Sequence, residues 1–193
     1  MKSKGLIIIG VIRAVAVFIG LYVIGTKNSF ISMKEDINQQ QANVEVALQR
    51  RADLIPNLVA TVKGYATHEE KVFTEIAEAR SKLAGSINSG NINEISAAND
   101  ELSSALSRLL VVKEAYPELK ANENFTALMD ELAGTENRIA IARRDYNDIV
   151  RKYNSKIQRF PASIIANSNG FEKVDYFNSQ EGANIAPKVD LGE

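Results

Sequence analysis

The chain has 193 residues, 45% of them apolar and 24% charged, which suffices for one domain with a real core. Its net charge of -1 offers no surface for a polyanion, so no nucleic-acid partner is expected. There is no Cys and a single His. That excludes disulfides, thiol catalysis, thiolate metal sites, a lipidated cysteine and a multi-histidine metal centre, and leaves only His68 for a Ser–His–Asp site.

Residues 1–5 form a short N-terminal tail carrying Lys2 and Lys4. An apolar run follows from Leu6 to Ile24, roughly 28 Å long as a helix and close to the roughly 30 Å thickness of a bilayer's hydrocarbon core. Residues 6–25 are therefore read as an uncleaved transmembrane anchor that meets lipid through residues 6–24. Arg13 interrupts the run. One such charge costs about 2.5–3.5 kcal/mol at mid-span, which the other side chains outweigh, and its long stem can snorkel. The competing readings are a cleaved signal peptide ending near Val23-Ile24-Gly25 and a buried helix of a soluble protein. The anchor is preferred because the run is long and leads straight into helical pattern. Lys2, Lys4 and the amino terminus face Lys27 and Lys34, which stand beside Glu35 and Asp36. This balance leans towards a cytoplasmic N-terminus and an extracytoplasmic domain.

Beyond residue 25 the apolar spacing is three-four. Phe30, Met33, Ile37, Val44, Leu48 and Arg51 mark one stripe. Ile55, Leu58, Val62, Tyr65, Glu69, Val72, Ile76, Ala79 and Leu83 mark a second. Ile92, Ile95, Asn99, Leu102, Leu106 and Leu109 mark a third. The longest runs from Phe125 through Leu132, Thr135, Ile139, Tyr146 and Tyr153 to Phe160. No strand alternation is present. Asp53 three residues before Pro56 is consistent with an N-cap after a break at Arg50-Arg51, or with one helix kinked at Pro56. Gly85 to Asn91 reads as a loop, with Asn91 or Asn93 as the next cap. Pro117 interrupts the third pattern, Asn122 can cap the fourth helix, and Pro161 stops it. Residues 162–193 are expected to be a loosely structured tail, with Phe171, Tyr176 and Phe177 docking on the helices.

His68-Glu69-Glu70 is the one cluster resembling a site. Neighbouring helical residues do not share a face, so His68 reads as a surface side chain. Glu69, at a seam position, reads as a partner for Arg143 or another cation. Glu136, Arg138, Arg143, Arg144 and Asp145 crowd the fourth helix, where Arg144 and Asp148 can pair. No phosphate-binding glycine loop and no Gly-x-Ser-x-Gly elbow occurs. No catalytic, cofactor-binding or metal-binding residue is assigned. An enzyme would have to be a metal- or carboxylate-dependent hydrolase using His68 and Glu69, with Glu136. A third possibility is a bundle that binds a small apolar ligand between its helices.

Four stretches carry a family resemblance: RRADLIPNLVATVKGYATHE (50–69), SALSRLLVVKEAYPELKANENF (104–125), ELAGTENRIAIARRDYNDIVRKYN (131–154) and FPASIIANSNGF with the YF at 176–177, followed by PKVD at 187–190. The sequence resembles the LemA family of bacterial membrane proteins over nearly its whole length. The resemblance implies a short N-terminal segment, one membrane helix, a long antiparallel helical bundle and no established catalytic activity. Two departures stand out: Arg13 inside the anchor, and no Trp or other aromatic near Val44 to Leu48.

The expectation is an all-α protein, with an N-terminal transmembrane helix followed by a long antiparallel four-helix bundle over residues 28–161. It would be a single-pass protein of the bacterial inner membrane. Its role would be a non-catalytic scaffold with protein partners or copies of itself, and it would need no cofactor.

Overall fold

The computed structural model describes residues 2–177, with side chains from Leu6 onward. The remainder of the expected tail, including the PKVD motif, lies outside the described residues. All regular structure within them is helical: α1 (Lys2–Lys63), α2 (Glu70–Ser89), α3 (Ile92–Ala115), α4 (Pro117–Lys120), α5 (Glu123–Gln158) and α6 (Ala162–Ser168). Helix α1 already begins at Lys2, inside what the sequence reads as a tail. The chain divides into two compact units. One holds residues up to 41 with 147–174, the other residues 42–146 with the chain from 175.

In the second unit, of the two readings at Arg50–Pro56, a break or one helix running through the proline, the second holds. Helix α1 continues through Pro56 to Lys63, and Asp53, instead of capping, accepts from Gln49 Nε2 at 2.9 Å on the same helix. A proline inside a helix has no N–H for the carbonyl four residues back, which here belongs to Ala52. The Arg80 Nε of α2 takes that carbonyl at 2.8 Å. The interruption falls later, at Gly64 to Glu69. On the second stripe Phe73 is buried where Val72 was expected, while Ile76, Ala79 and Leu83 are buried as expected.

Helix α2 also runs further than composition suggests, through Gly85 to Ser89. The turn is only Gly90 and Asn91. Gly90 adopts φ 68°, which suits a residue without Cβ. Asn91 Oδ1 accepts from the backbone N–H groups of Asn93 and Glu94, capping α3. So short a turn makes α2 and α3 an antiparallel pair, and their ion pairs keep that register: Glu75 with Arg108, Lys82 with Glu101. Pro117 opens α4, and Asn122 Oδ1 caps α5 by accepting from Phe125 N–H at 2.9 Å. The core follows the three-four rows: Val44, Leu48, Ile55, Leu58 and Val62 of α1, Ile76 and Leu83 of α2, Ile95, Leu102 and Leu109 of α3, Phe125, Ile139 and Tyr146 of α5.

In the first unit, Phe30 of α1 packs edge-on against Tyr153 of α5, with ring centroids 6.3 Å apart, and Lys156 bonds to Ser29 Oγ. Where the sequence suggested a loose tail, α6 forms and ends in a Schellman turn. Gly170 takes φ 70°, and Phe171 N–H donates to Ala166 O at 3.0 Å. That turn sets Phe171 against Phe30, centroids 5.1 Å apart. Asn154 then binds the chain like a strand partner: its Nδ2 donates to Val174 O at 2.8 Å and its Oδ1 accepts from Val174 N–H at 3.0 Å.

Candidate functional site

The most unusual side chain of the second unit is Arg51. It lies on the apolar stripe and is only 6% exposed. Its Nη1 donates to Asn99 Oδ1 at 2.8 Å and stands 2.9 Å from Glu136 Oε2. Burial pulls the guanidinium down from its ordinary value, while Glu136 and Asp100 pull it back; an arginine so placed stays charged. Asn99 is fully buried with its Nδ2 unpartnered, and Asp100 Oδ1 is likewise buried without a donor. Thr135, also buried, turns its hydroxyl back to Glu131 O at 2.8 Å. Polar residues at three stripe positions, Arg51, Asn99 and Thr135, are thus the buried polar content of this core, together with Ser96.

A cavity of about 310 Å³ opens beside this group, lined by Arg51, Leu58, Leu109, Met129, Leu132 and Glu136 among others. An arginine that cannot give up its proton at neutral pH offers charge and directed donors, not acid–base chemistry. The arrangement can hold a helix crossing in register or meet the polar end of a small ligand.

The residues proposed for a hydrolase are separately engaged. His68 is exposed. Glu69 lies 3.5 Å from the Tyr116 hydroxyl, which donates to it, and does not meet Arg143. Arg143 instead stacks 4.4 Å over the ring of Phe177. Glu136 is committed to Arg51. On the rest of α5, Arg144 pairs with Asp145, not Asp148, and Asp148 pairs with Arg151. Tyr65 is 42% exposed and accepts from Asn122 Nδ2, Tyr146 donates to Asp175 O, and Tyr153 has a buried hydroxyl without a partner. Of the aromatics expected to dock, Phe171 and Phe177 do, while Tyr176 stays 42% exposed.

The second functional feature is the start of α1. Its apolar window has a mean hydropathy of 2.6, and none of it is buried among the described residues. Leu6, Ile12, Val17, Phe18 and Leu21 are 62–73% exposed. A helix of that kind is solvated by lipid or by another protein, and this one is long enough to cross a bilayer. The buried-soluble-helix reading required cover, and the described residues bury none of this window.

The sequence profile of the LemA family matches residues 40–191. The chain belongs to the LemA family. Among relatives of this LemA chain, a protein named magnetosome protein MamQ 2 of Paramagnetospirillum magneticum is 29% identical, over 91% of this chain and 72% of the relative. Magnetosome protein MamQ of Magnetospirillum gryphiswaldense is 27% identical over 84% and 69%. Protein LemA of Metamycoplasma hominis is 27% identical over 91% and 77%. Family, relatives and the apolar start of α1 together describe a membrane-associated helical protein.

Proposed function

We propose that this LemA protein is a single-pass protein of the bacterial inner membrane, held by residues 6–24. Its helical part lies on the extracytoplasmic side and serves as a non-catalytic scaffold. The observation that carries this reading is that α1 is one helix, apolar on all sides over residues 6–24 and amphipathic in the core of the second unit. Such an anchor confines the helical part to the membrane surface, where weak contacts act at high local concentration. The magnetosome name of the MamQ relatives supports a role at a membrane compartment. Protein partners or further copies of the chain are the expected occupants of its exposed helix faces.

Protease protection in intact cells tests the side of the membrane: cleavage of the helical part only after the outer barrier is opened is expected, and full protection would overturn it. Crosslinking in native membranes tests the scaffold: only isolated monomers would sink it. His68→Ala should leave crosslinks and growth unchanged, whereas a hydrolase of the His68/Glu69 type would lose its activity.

The cavity beside Arg51 supports a second reading, a small amphiphile bound with its polar end at Arg51. Mass spectrometry of the protein extracted without denaturation should then show a bound small molecule that Leu109→Trp, which fills the cavity, expels.

A further inference from the structure

Besides the α1 anchor, a second element of the first unit presents apolar side chains to the outside. Between α5 and α6 the chain turns at Phe160 and Pro161. Phe160 is 81% exposed, more than any other large apolar side chain described, and Ile164 on α6 is 61% exposed. The opposite face of α6 is covered: Ala162, Ile165 and Ala166 are all buried. Pro161, Ile164 and Ile165 line a groove of about 440 Å³ whose other wall is Phe18, Ile19, Tyr22 and Val23 of α1. The turn therefore lies alongside the final part of the apolar run, not beyond it. Counting inward from Ile24, Phe18 sits about 9 Å below the end of the run, roughly a third of the hydrocarbon thickness.

We propose that Phe160, Pro161 and Ile164 form a second membrane-inserted element, a hairpin tip that enters the outer part of the same leaflet beside α1, with lipid acyl chains filling the groove. This rests on residues 6–24 being the span. The occupant is bilayer lipid, because the exposed tip is continuous with a helix surface that already requires lipid. Backbone entering hydrocarbon must satisfy its own polar groups, and three N–H groups of this turn are paired within it. Arg159 N–H donates to Lys156 O, Ser163 N–H to Arg159 O at 2.8 Å and Ile164 N–H to Pro161 O at 3.2 Å. Pro161 has no N–H to satisfy. At the helix end, Ser168 Oγ and Asn169 Nδ2 both donate to Ile165 O. Lys27, just after the apolar run, and Arg159, just before the turn, are both exposed and basic, as suits phosphate headgroups at the level where the tip enters. The apolar tip with basic shoulders thus matches a lipid interface in both polarity and charge.

The chain has no Trp, so one introduced indole reports its surroundings without background. Full-length protein carrying Phe160→Trp, Ile164→Trp, Phe18→Trp or Val46→Trp is reconstituted into vesicles of phosphatidylcholine and phosphatidylglycerol, with or without acyl-chain-brominated phosphatidylcholine. Val46 is an exposed position of the second unit. The Phe160→Trp and Ile164→Trp proteins should emit to the blue of Val46→Trp and lose most of that emission in brominated vesicles, more with bromines near the headgroup than near the chain ends. Phe18→Trp should be quenched alongside them. If Phe18→Trp is quenched while positions 160 and 164 behave like position 46, the tip stays in water and the inference fails with the anchor intact. If Phe18→Trp is also unquenched, the anchor reading fails and takes this one with it.

Discussion

Two stretches of the same helix, residues 6–24 and residues 42–63 of α1, solve opposite solvation problems. The first is apolar on most of its surface, and none of its residues is buried among the described residues. The second keeps one buried row, Val44, Leu48, Ala52, Ile55, Leu58 and Val62, with mainly polar or small residues on the other sides. Each has one arginine where an apolar side chain would be expected. Arg13 stands exposed among aliphatic neighbours, where its stem can reach an interface. Arg51 is buried and tied to Asn99 and Glu136. The contrast teaches that a helix's polarity pattern reports its solvent, and that an out-of-place charge is tolerated either by escape or by partnership.

The contrast is broken most directly by removing the two arginines. Arg51→Ala leaves the Asn99 carbonyl without its donor and opens space in the core. It should lower the unfolding free energy of the detergent-solubilised protein by about 3 kcal/mol. Arg13→Ala should leave that unfolding unchanged and favour insertion by about 2.5–3.5 kcal/mol. Equal effects on denaturant unfolding would erase the distinction.

A smaller loss sharpens the account of the second stretch. Arg80→Leu strips the Ala52 carbonyl of its donor and should cost about 1.5–3 kcal/mol. In a Pro56→Ala background residue 56 regains an N–H for that carbonyl, so the same change should cost measurably less. Additivity in this double-mutant cycle would show that Arg80 acts elsewhere.

Alkaline titration probes the part of α5 that packs in the second unit. Burial, reinforced by Asp175, pushes the Tyr146 phenol up to about 12. A raised folded value means that the neutral phenol is favoured by folding. The stability it contributes is complete below about pH 10 and is lost as pH rises towards about 12. Ultraviolet difference spectra of tyrosinate should show a late step that Tyr146→Phe removes.

The smallest effect is at the exposed Arg50–Glu131 pair, 2.7 Å apart. Arg50 holds the Glu131 carboxyl below its usual range. Its contribution is therefore present at neutral pH and fades as pH falls through that lowered value. Salt should screen it, and Glu131→Gln should abolish the acid sensitivity that unfolding curves assign to this pair.

Much of this architecture was legible because helical periodicity and capping are local. The anchor run, the rows of buried residues, Asn91 and Asn122 as caps and Pro117 as a starter can each be read within a turn or two. Arg51, Asn99 and Thr135 even fell on stripe positions, so their burial was foreshadowed. Their partners were not, since Asn99 lies 48 residues from Arg51 in the chain. Pro56 left a break and a continuous helix both open for the same reason: Arg80, which makes it tolerable inside a helix, is 28 residues from Ala52. Gly85 to Asn91 looked like a loop by composition, yet packing of α2 on α3 carries the helix to Ser89. Glu136 reads as part of a solvated face or of an inter-helix network, and the network forms, but no local pattern announces that its partner is Arg51 on another helix.

The proline has one more implication. A helix ordinarily presents its neighbours with a smooth rail, every interior carbonyl already engaged, along which a partner can slide a turn at little cost. Pro56 cuts a single notch in that rail, and Arg80 is the tooth that drops into it. The α2 hairpin consequently has one resting place along α1. Lengthening the Gly64–Glu69 connection should leave that seat in place, whereas moving the proline by one turn should move the seat with it.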